Sequence, residues 1–198
     1  MFFYMSSSSS GRLLLIVGPS GVGKGTTVNI LRERHPEWIF PVSTTTRQPR
    51  PGEVDGVDYH FLTPQEFDAR IAEDAFLEWA WVHGKERYGH LRSSIEPHLQ
   101  AGKTVVRDID IQGCEQIQQK LPPELVVSFF LLPPPREVLI ERIRKRAPID
   151  DAELERRLQS MQMEVERGRQ VCPHLIQTKN NSMEYPPNEI ERILAQLD

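Results

Sequence analysis

A short stretch of the chain has the residue types and the spacing of a loop that binds phosphate groups: Gly18, Pro19, Ser20, Gly21, Val22, Gly23, Lys24, Gly25 and Thr26. Glycines let such a backbone turn so that successive N–H groups point inward, and the following helix adds the positive end of its dipole. Lys24 then reaches between the β- and γ-phosphates of a nucleoside triphosphate. The alternative is an ordinary glycine-rich turn, but strand, loop, lysine and helix occur in the required order. We therefore expect the loop to bind ATP.

The hydroxyl residue that usually follows the lysine of this motif is missing, because Gly25 stands there. Thr26 or Thr27 supplies the hydroxyl instead, a variant that resembles many small nucleotide kinases. We expect Thr26 to contribute to the magnesium site.

A second candidate site lies in residues 43–56, a segment rich in Thr, Arg, Pro and Gly that has too little apolar content to be core. Arg47 and Arg50 lie three residues apart, and guanidinium forks bind phosphate oxygens in pairs. Tyr59 is close enough in sequence to donate its hydroxyl to the same anion. The alternative is a solvated basic loop. Because the segment follows a phosphate-binding loop, we expect it to bind a phosphomonoester.

Composition narrows the class of protein that can contain these sites. The chain has 198 residues and a net charge of −4, which suits one globular domain and argues against a broad nucleic-acid or membrane surface. Cys114 and Cys172 have neither metal nor redox spacing, which indicates a reducing compartment. Residues 1–10 lack the pattern of a secretory signal, and we interpret them as a disordered extension. We expect a cytoplasmic protein; its oligomeric state is not predicted.

Apolar runs alternate with helical patterns along the chain. Strands are predicted at residues 13–17, 38–42, 59–62, 76–82, 104–110, 125–132 and 175–178, and helices at 26–34, 64–72, 91–101, 114–120, 136–146, 151–167 and 188–197. This alternation predicts an α/β three-layer fold with a mainly parallel sheet. Asp108 and Asp110 end one predicted strand, at the edge of the sheet where ligands gather. Asp150 or Asp151 is the predicted cap of the helix that follows.

Four parts of the chain resemble guanylate kinase, in that family's order and close to its spacing. They are residues 18–26, 45–61, 76–80 and 108–113. The resemblance covers roughly residues 12–170 and implies a P-loop NTPase fold with a small mixed α+β insertion and a helical lid. It places the P-loop core at 11–42, 96–137 and 168–198, a GMP-binding region at 43–95, and the lid at 138–167.

The resemblance also implies how the acceptor nucleotide is held. Guanine offers two donors on one edge, which suits the carboxylates of Glu78 and Asp110, while Ser43 matches a hydroxyl that faces the base. The residues that match the family's contacts with the acceptor phosphate are Arg47, Arg50, Tyr59 and Tyr88. For Glu78, a surface acid on an edge strand is the alternative.

The remaining implied roles concern phosphoryl transfer. Asp108 matches the acid near magnesium, and Asn180 is a weak match to the asparagine on the adenine side. The lid arginines Arg142, Arg146 and Arg157 match residues that close over the ATP phosphates. The alternative for these three is a helix surface paired with Glu141, Glu153 and Glu155. Lys24, Arg47 and Asp108 join the lid arginines as the implied catalytic set.

The chain departs from the family pattern at three places. The segment 84–90 is one residue longer, and His90 replaces the hydroxyl that is directed at guanine O6; a histidine N–H can donate to the same atom. Arg107 occupies a position that is usually aliphatic, so it must snorkel or pair with an acid. The lid tip at residues 147–150 lacks the usual Gly-Thr.

The favoured function is the transfer of the γ-phosphoryl group of ATP to GMP, with Mg²⁺ required. One alternative is an inactive interaction module of the same family, which the presence of Lys24, Asp108 and the lid arginines disfavours. The other is a related kinase with a different phosphorylated acceptor. His90 supports this last alternative, whereas Glu78 together with Asp110 favours guanine.

Overall fold

The computed structural model describes residues 11–82, 85–146, 149–178 and 182–197, without the side chains of Arg142, Lys145 and Arg146. The predicted extension at residues 1–10, the turn at His83–Gly84, part of the lid tip and Asn180 lie outside the described residues. The elements, in chain order, are β1 Arg12–Val17, α1 Lys24–Arg34, β2 Thr44–Thr45, β3 His60–Phe61, α2 Pro64–Ala72, β4 Phe76–Val82, β5 Glu86–Leu91, α3 Glu96–Gln100, β6 Thr104–Ile109, α4 Ile111–Lys120, β7 Val126–Leu132, α5 Arg136–Arg146, α6 Asp151–Val171, β8 His174–Gln177 and α7 Tyr185–Leu197.

These strands form two sheets. The first has the order β6-β1-β7-β8 and consists of parallel strands, with Phe129 opposite His174 where β7 pairs with β8. The second has the order β3-β2-β5-β4 and is mixed, because β2 runs parallel to β3 and antiparallel to β5. A parallel sheet with helices, accompanied by a smaller mixed sheet, confirms the predicted fold class.

The chain divides into two compact units. The first contains the described residues up to Leu14, then Glu37–Val106 and Gln112–Val127; the second contains Leu15–Pro36, Arg107–Ile111 and the described residues from Ser128 onwards. The mixed sheet belongs entirely to the first unit. The predicted boundaries of core, GMP-binding region and lid divide the chain differently and stay predictions.

Hydrophobic burial explains the central strands of the parallel sheet. Residues 13–17 of β1 and 128–132 of β7 are buried without interruption, as expected of parallel strands covered on both faces. In the second unit, Gly168 of α6 lies so close to the ring of Phe130 that an added Cβ would be 2.1 Å from it. A side chain at that position would force the helix away from the strand.

The helices α5 and α6 share a small hydrophobic cluster of their own. Leu139, Leu154, Leu158 and Met161 are its buried members. Asp150 caps α6 by accepting a hydrogen bond from the backbone N–H of Glu153 at 2.8 Å, which decides between the two predicted caps. None of the described helices combines the length and the apolar composition that a membrane crossing requires.

Two predicted elements were wrong in the first unit. The strand predicted at 38–42 is only a single bridge between Ile39 and Val105, and it ends before Pro41, which has no N–H to donate. The helix predicted at 91–101 is a 3₁₀ turn followed by the short helix α3. A proline is tolerated in the first turn of a helix, where its missing N–H is not needed. The helix that contains Pro97 therefore begins at Glu96 instead of continuing from the preceding residues.

Strand β5 was not among the predicted strands. Its residues are mostly polar, but they pair with β4 in antiparallel register, with Glu78 opposite His90. Gly89 on β5 is required by this pairing, because an added Cβ would lie 2.7 Å from the carbonyl oxygen of Glu78. The strand is therefore stabilised by its partner more than by its own propensity.

Candidate active site

The predicted phosphate-binding loop has the backbone that its glycines suggest. Gly18, Gly21 and Gly23 have φ angles of 151°, 82° and 109°, a range that other residues rarely adopt. Gly18 is also fixed by packing, because an added Cβ would lie 2.8 Å from the carbonyl oxygen of Leu131. The helix α1 begins at Lys24, directly after the last of these glycines. The N–H groups of its first turn therefore face the loop, which is the arrangement of main chain that suits an anion.

Lys24 lies over this loop. Its Nζ donates hydrogen bonds to the carbonyl oxygens of Gly18 and Pro19. Burial lowers the pKa of Lys24, while the negative charges of the three nearby acids Asp108, Glu164 and Asp110 act in the opposite direction. The ammonium group of Lys24 thus lies near three carboxylates: Asp108 near the end of β6, Asp110 directly after it, and Glu164 in α6.

The two candidate threonines differ in what their hydroxyls do. Thr27 is buried, and its Oγ1 donates to the carbonyl oxygen of Gly23 at 3.1 Å. Thr26 is exposed. Thr26 is therefore the better placed of the two to act on a ligand.

Glu164 is a residue of this site that the sequence analysis missed. It lies in α6 and is half-buried; desolvation raises its pKa, Lys24 opposes that shift and Asp110 adds to it. A signal was available, since Glu164 follows Leu154, Leu158 and Met161 along the helix at the spacing of the buried stripe. A glutamate on such a stripe is rarely fully buried without a partner.

Three predicted contacts of the guanine base form one hydrogen-bonded chain. The Nε2 atom of His90 lies 3.0 Å from Ser43 Oγ, and its Nδ1 contacts Glu78 Oε1. His90 and Glu78 are each only 5% exposed. The β4–β5 register places them opposite each other, so both side chains stand on the same face of the sheet. Glu78 is therefore a buried acid, not the surface acid of the alternative interpretation.

His90 has more than one role in this arrangement. The sequence analysis expected its N–H to be directed at guanine O6, and in the structure both ring nitrogens contact protein oxygens. The imidazole thus fixes the carboxylate of Glu78 on one side and the hydroxyl of Ser43 on the other. His90 therefore positions the Glu78 carboxylate and the Ser43 hydroxyl, in addition to its expected contact with the base.

The predicted phosphate contacts lie together around Arg47. The guanidinium donates from Nε to Tyr88 Oη at 3.2 Å, and its Cζ lies 5.2 Å from the ring centroid of Tyr59. The rings of Tyr59 and Tyr88 meet edge to face at 5.9 Å. Arg50 is exposed at the start of the neighbouring turn. The structure thereby brings together the side chains of Arg47, Tyr59 and Tyr88, three of the four residues that were assigned to one anion, whereas Arg50 is joined to them through its backbone N–H and Glu53.

Arg157 is the lid arginine whose side chain the structure describes, and it is paired with a glutamate on the helix surface, as the alternative interpretation predicts. Arg157 donates from Nε to Glu153 Oε1 at 3.0 Å, and its side chain is 56% exposed. Hydrogen bonding to Arg157 is the main reason that the pKa of Glu153 is lowered. Arg142 and Arg146 lie in α5, and their side chains are outside the described part of the structure.

The acids at the end of β6 belong to the second unit. Asp110 follows β6 directly, and its charge acts on Lys24 and Glu164. Arg107, which the sequence analysis expected to pair with an acid, is buried with Nη2 3.8 Å from Asp108 Oδ1. Asp108 and Asp110 therefore lie in the electrostatic environment of the phosphate-binding loop.

The chain matches the family model described as guanylate kinase over residues 10–197. It is 46% identical over 157 residues to a guanylate kinase of Synechococcus, covering 79% of this chain and 84% of the relative. A guanylate kinase of Clostridium perfringens is 43% identical over 187 residues, with 94% and 83% covered. A crystal structure of guanylate kinase from Anaplasma phagocytophilum matches with a TM-score of 0.74 and 28% identity, covering 96% of this chain and 87% of that chain.

Proposed function

The chain belongs to the guanylate kinase family, and from this membership we propose that it transfers the γ-phosphoryl group of ATP to GMP, giving ADP and GDP. The observation that carries the proposal is the family match over residues 10–197. The matched residues include the phosphate-binding loop and the hydrogen-bonded series Ser43, His90 and Glu78. Phosphoryl transfer of this kind needs positioning and positive charge more than covalent help from the protein.

In this proposal the loop from Gly18 to Thr26 binds the phosphates of ATP. The three positive φ angles and the start of α1 support that role, because they direct main-chain N–H groups to one place. Lys24 supplies the positive charge beside the β- and γ-phosphates. A lysine that already lies over the loop loses little freedom when it exchanges its carbonyl partners for phosphate oxygens.

Magnesium fits the donor types that this loop offers. A magnesium ion that bridges nucleotide phosphates needs only one or two protein oxygens, which Thr26 and Asp108 would provide. The exposed Thr26 and the negative field of Asp108 at Lys24 support the assignment. The ion would neutralise charge on the β- and γ-phosphates.

GMP binds, in this proposal, through two groups of residues. Glu78, Ser43 and His90 bind the base, with Asp110 as the second carboxylate that the family resemblance implies. Burial supports the base contacts, because a buried polar site rejects a base that leaves its groups unpaired. The residues that bind the phosphate are Arg47, Arg50, Tyr59 and Tyr88.

The lid arginines complete the proposal. Arg142, Arg146 and Arg157 stabilise the negative charge of the transferring group, and Asn180 contacts the adenine. For Arg157 this role requires exchange of its exposed partner Glu153 for phosphate, which costs little because exposed ion pairs contribute little to stability. A cytoplasmic location belongs to the same proposal, since Cys114 and Cys172 are not joined in a disulfide, as in a reducing compartment.

A coupled assay of ADP release tests the proposal. The protein is supplied with ATP, Mg²⁺ and, in separate reactions, GMP, dGMP, AMP, UMP, CMP or a ribose phosphate. Strong turnover with GMP is expected. Faster turnover with another acceptor would mean that His90 marks a changed pocket, and nucleotide binding without turnover would instead indicate an interaction module.

A further inference from the structure

One acid of the phosphate-binding segment has no role in the function proposed above. The carboxylate of Glu53 accepts hydrogen bonds from both terminal nitrogens of Arg47, from Nη1 to Oε2 and from Nη2 to Oε1, each at 2.9 Å. Its Oε2 also accepts from the backbone N–H of Arg50 at 2.7 Å. These are the paired, charge-assisted hydrogen bonds that fix a guanidinium most firmly. Glu53 therefore contacts both arginines that the sequence assigns to the phosphate.

The ionisation of Glu53 agrees with this geometry. Its pKa lies below the ordinary value, first because of the hydrogen bond from Arg47 and then because of the backbone N–H of Arg50. The pKa of Arg47 is raised, and the hydrogen bond to Glu53 is again the main cause. Both groups are charged at neutral pH, so the contact is a true ion pair.

The other donors of Arg47 are almost fully used. Nη1 also donates to the carbonyl oxygen of Gln48 at 2.8 Å, and Nε donates to Tyr88 Oη. A guanidinium carries five N–H groups, and these contacts use four of them. The fifth, on Nη2, has no acceptor among the residues that the structure describes. Hydrogen bonds to the protein thus fix the guanidinium of Arg47, and one N–H is available to bind a ligand.

The contact between Arg47 and Tyr88 determines what the tyrosine can do. Because the hydroxyl oxygen of Tyr88 accepts from Arg47, its own hydrogen must point away from the guanidinium. The edge-to-face contact with Tyr59 restricts the ring of Tyr88 as well. The hydroxyl is left as a donor, which is the form that a phosphate oxygen can accept.

Burial explains why Arg47 depends on Glu53. Arg47 is only 9% exposed, and its guanidinium lies 5.2 Å and 5.7 Å from the ring centroids of Tyr59 and Phe61. Without a carboxylate partner, a charge in such a place would move towards water, since a buried charge needs a partner. The Nε contact with Tyr88 would be lost in that movement.

We propose that Glu53 is a positioning residue of the acceptor site: it holds Arg47 in place, and Arg47 in turn orients the Tyr88 hydroxyl as a hydrogen-bond donor to the phosphate of GMP. The inference rests on the proposed function, because it names the same phosphate. Glu53 itself touches no reacting atom. It acts through the two residues that do.

The test is a steady-state comparison of wild type and Glu53→Gln with ATP and GMP. We expect the KM for GMP to rise roughly tenfold while kcat and the KM for ATP change much less, because a glutamine is uncharged and has one acceptor oxygen where the fork with Arg47 uses two. Binding of guanosine, which has no phosphate, should be unchanged in a calorimetric titration. Glu96→Gln is the matched control, since it removes an Arg–Glu pair to Arg92 elsewhere in the same unit and should leave the KM for GMP unchanged.

Two results would overturn the inference. An unchanged KM for GMP would make the ion pair structural only, and a lower KM would make Glu53 a competitor of the phosphate for Arg47. Inactivity of the wild-type protein with GMP would be a different failure, because it would remove the proposed function itself.

A double-mutant cycle tests the route through Tyr88. If Glu53 acts by orienting that hydroxyl, Glu53→Gln should have a much smaller effect on the KM for GMP in a Tyr88→Phe background than in wild type. Equal effects in the two backgrounds would show that Glu53 does not act through Tyr88. Melting curves of all four proteins separate these results from a loss of folding.

Discussion

The phosphate-binding loop of the second unit and the acceptor site of the first are both proposed to bind a nucleotide. The loop would do so mainly with main-chain atoms, and the acceptor site with side chains. The loop is formed by main chain: three glycines with positive φ, two carbonyl oxygens and the start of a helix. The acceptor site is formed by side chains that bind one another, such as Ser43, His90 and Glu78.

The difference teaches where each site is sensitive to substitution. Main-chain N–H groups do not depend on which side chains the loop carries, so such a site is damaged chiefly by losing Lys24 or by adding atoms where only glycine fits. A network of buried side chains fails when any single member changes, because each remaining partner is left unsatisfied.

The largest effect is expected for Lys24→Met, which keeps an unbranched side chain only one atom shorter and removes the charge. We expect kcat to fall by a factor of about 10²–10³ or more, since a preorganised positive group contributes that much to a charged transition state. GMP binding, measured by calorimetry, should be unchanged. Lys103→Met is the control, because this exposed lysine lies outside both sites. A loss of GMP affinity equal to the loss of turnover would contradict the separation of the two sites.

The next largest effect is expected for Glu78→Gln. The amide is uncharged and presents an NH₂ donor in place of one acceptor oxygen, which opposes the donor edge of guanine, so the KM for GMP should rise roughly 10- to 100-fold while the affinity for ATP stays the same. Glu86→Gln, on the paired strand of the same sheet, is the control and should behave like wild type. Equal losses of ATP and GMP affinity would mean that Glu78 supports the whole fold and not the acceptor site.

A smaller effect is expected for Gly18→Ala. The new Cβ would lie 2.8 Å from the Leu131 carbonyl oxygen and would require a φ of 151°, so we expect a destabilisation of about 1–3 kcal/mol together with weaker ATP binding. Gly25→Ala is the matched control: nothing lies within 4 Å of its added Cβ. Urea unfolding measures the stability, and equal values for the two variants would show that the loop backbone adapts.

The smallest effect concerns acid pH. The folded pKa of Glu53 is lowered, so its contribution to stability is present above the ordinary carboxyl pKa and is lost as the pH falls through the folded value. Wild type should therefore lose slightly more stability than Glu53→Gln between about pH 5 and pH 3. Unfolding curves at stepped pH measure this, and parallel curves for the two proteins would show that the ion pair contributes no stability.

The sequence was sufficient wherever a structure depends on neighbours along the chain. The helix at 64–72 has a threonine cap, a proline at its first position and a glutamate that completes the capping box, and it was predicted with its observed bounds. The strand at 76–82 was also predicted correctly. The glycines of the phosphate-binding loop are required by local backbone angles, which residue type alone can indicate.

The sequence was insufficient wherever a role depends on a distant partner. The mostly polar strand β5 is stabilised by its pairing with β4, and the residue types of 86–91 do not predict that pairing. Glu53 is part of the segment that the sequence singles out, but its positioning role depends on two hydrogen bonds from Arg47, which form only when the loop is folded. Arg87 likewise is buried between Phe67 and Trp81, at 4.7 Å and 5.1 Å from their ring centroids.

The sequence by itself determined the class of fold, the phosphate-binding loop and the residue types of an acceptor site, because glycine spacing, apolar periodicity and charge are properties of the chain. The tertiary structure alone decided that His90 bridges Ser43 and Glu78, that the Thr27 hydroxyl donates to the Gly23 carbonyl oxygen while Thr26 is exposed, and that Glu53 holds Arg47. Hydrogen bonds need distances of about 3 Å and a suitable direction, and only the packed strands and turns specify these.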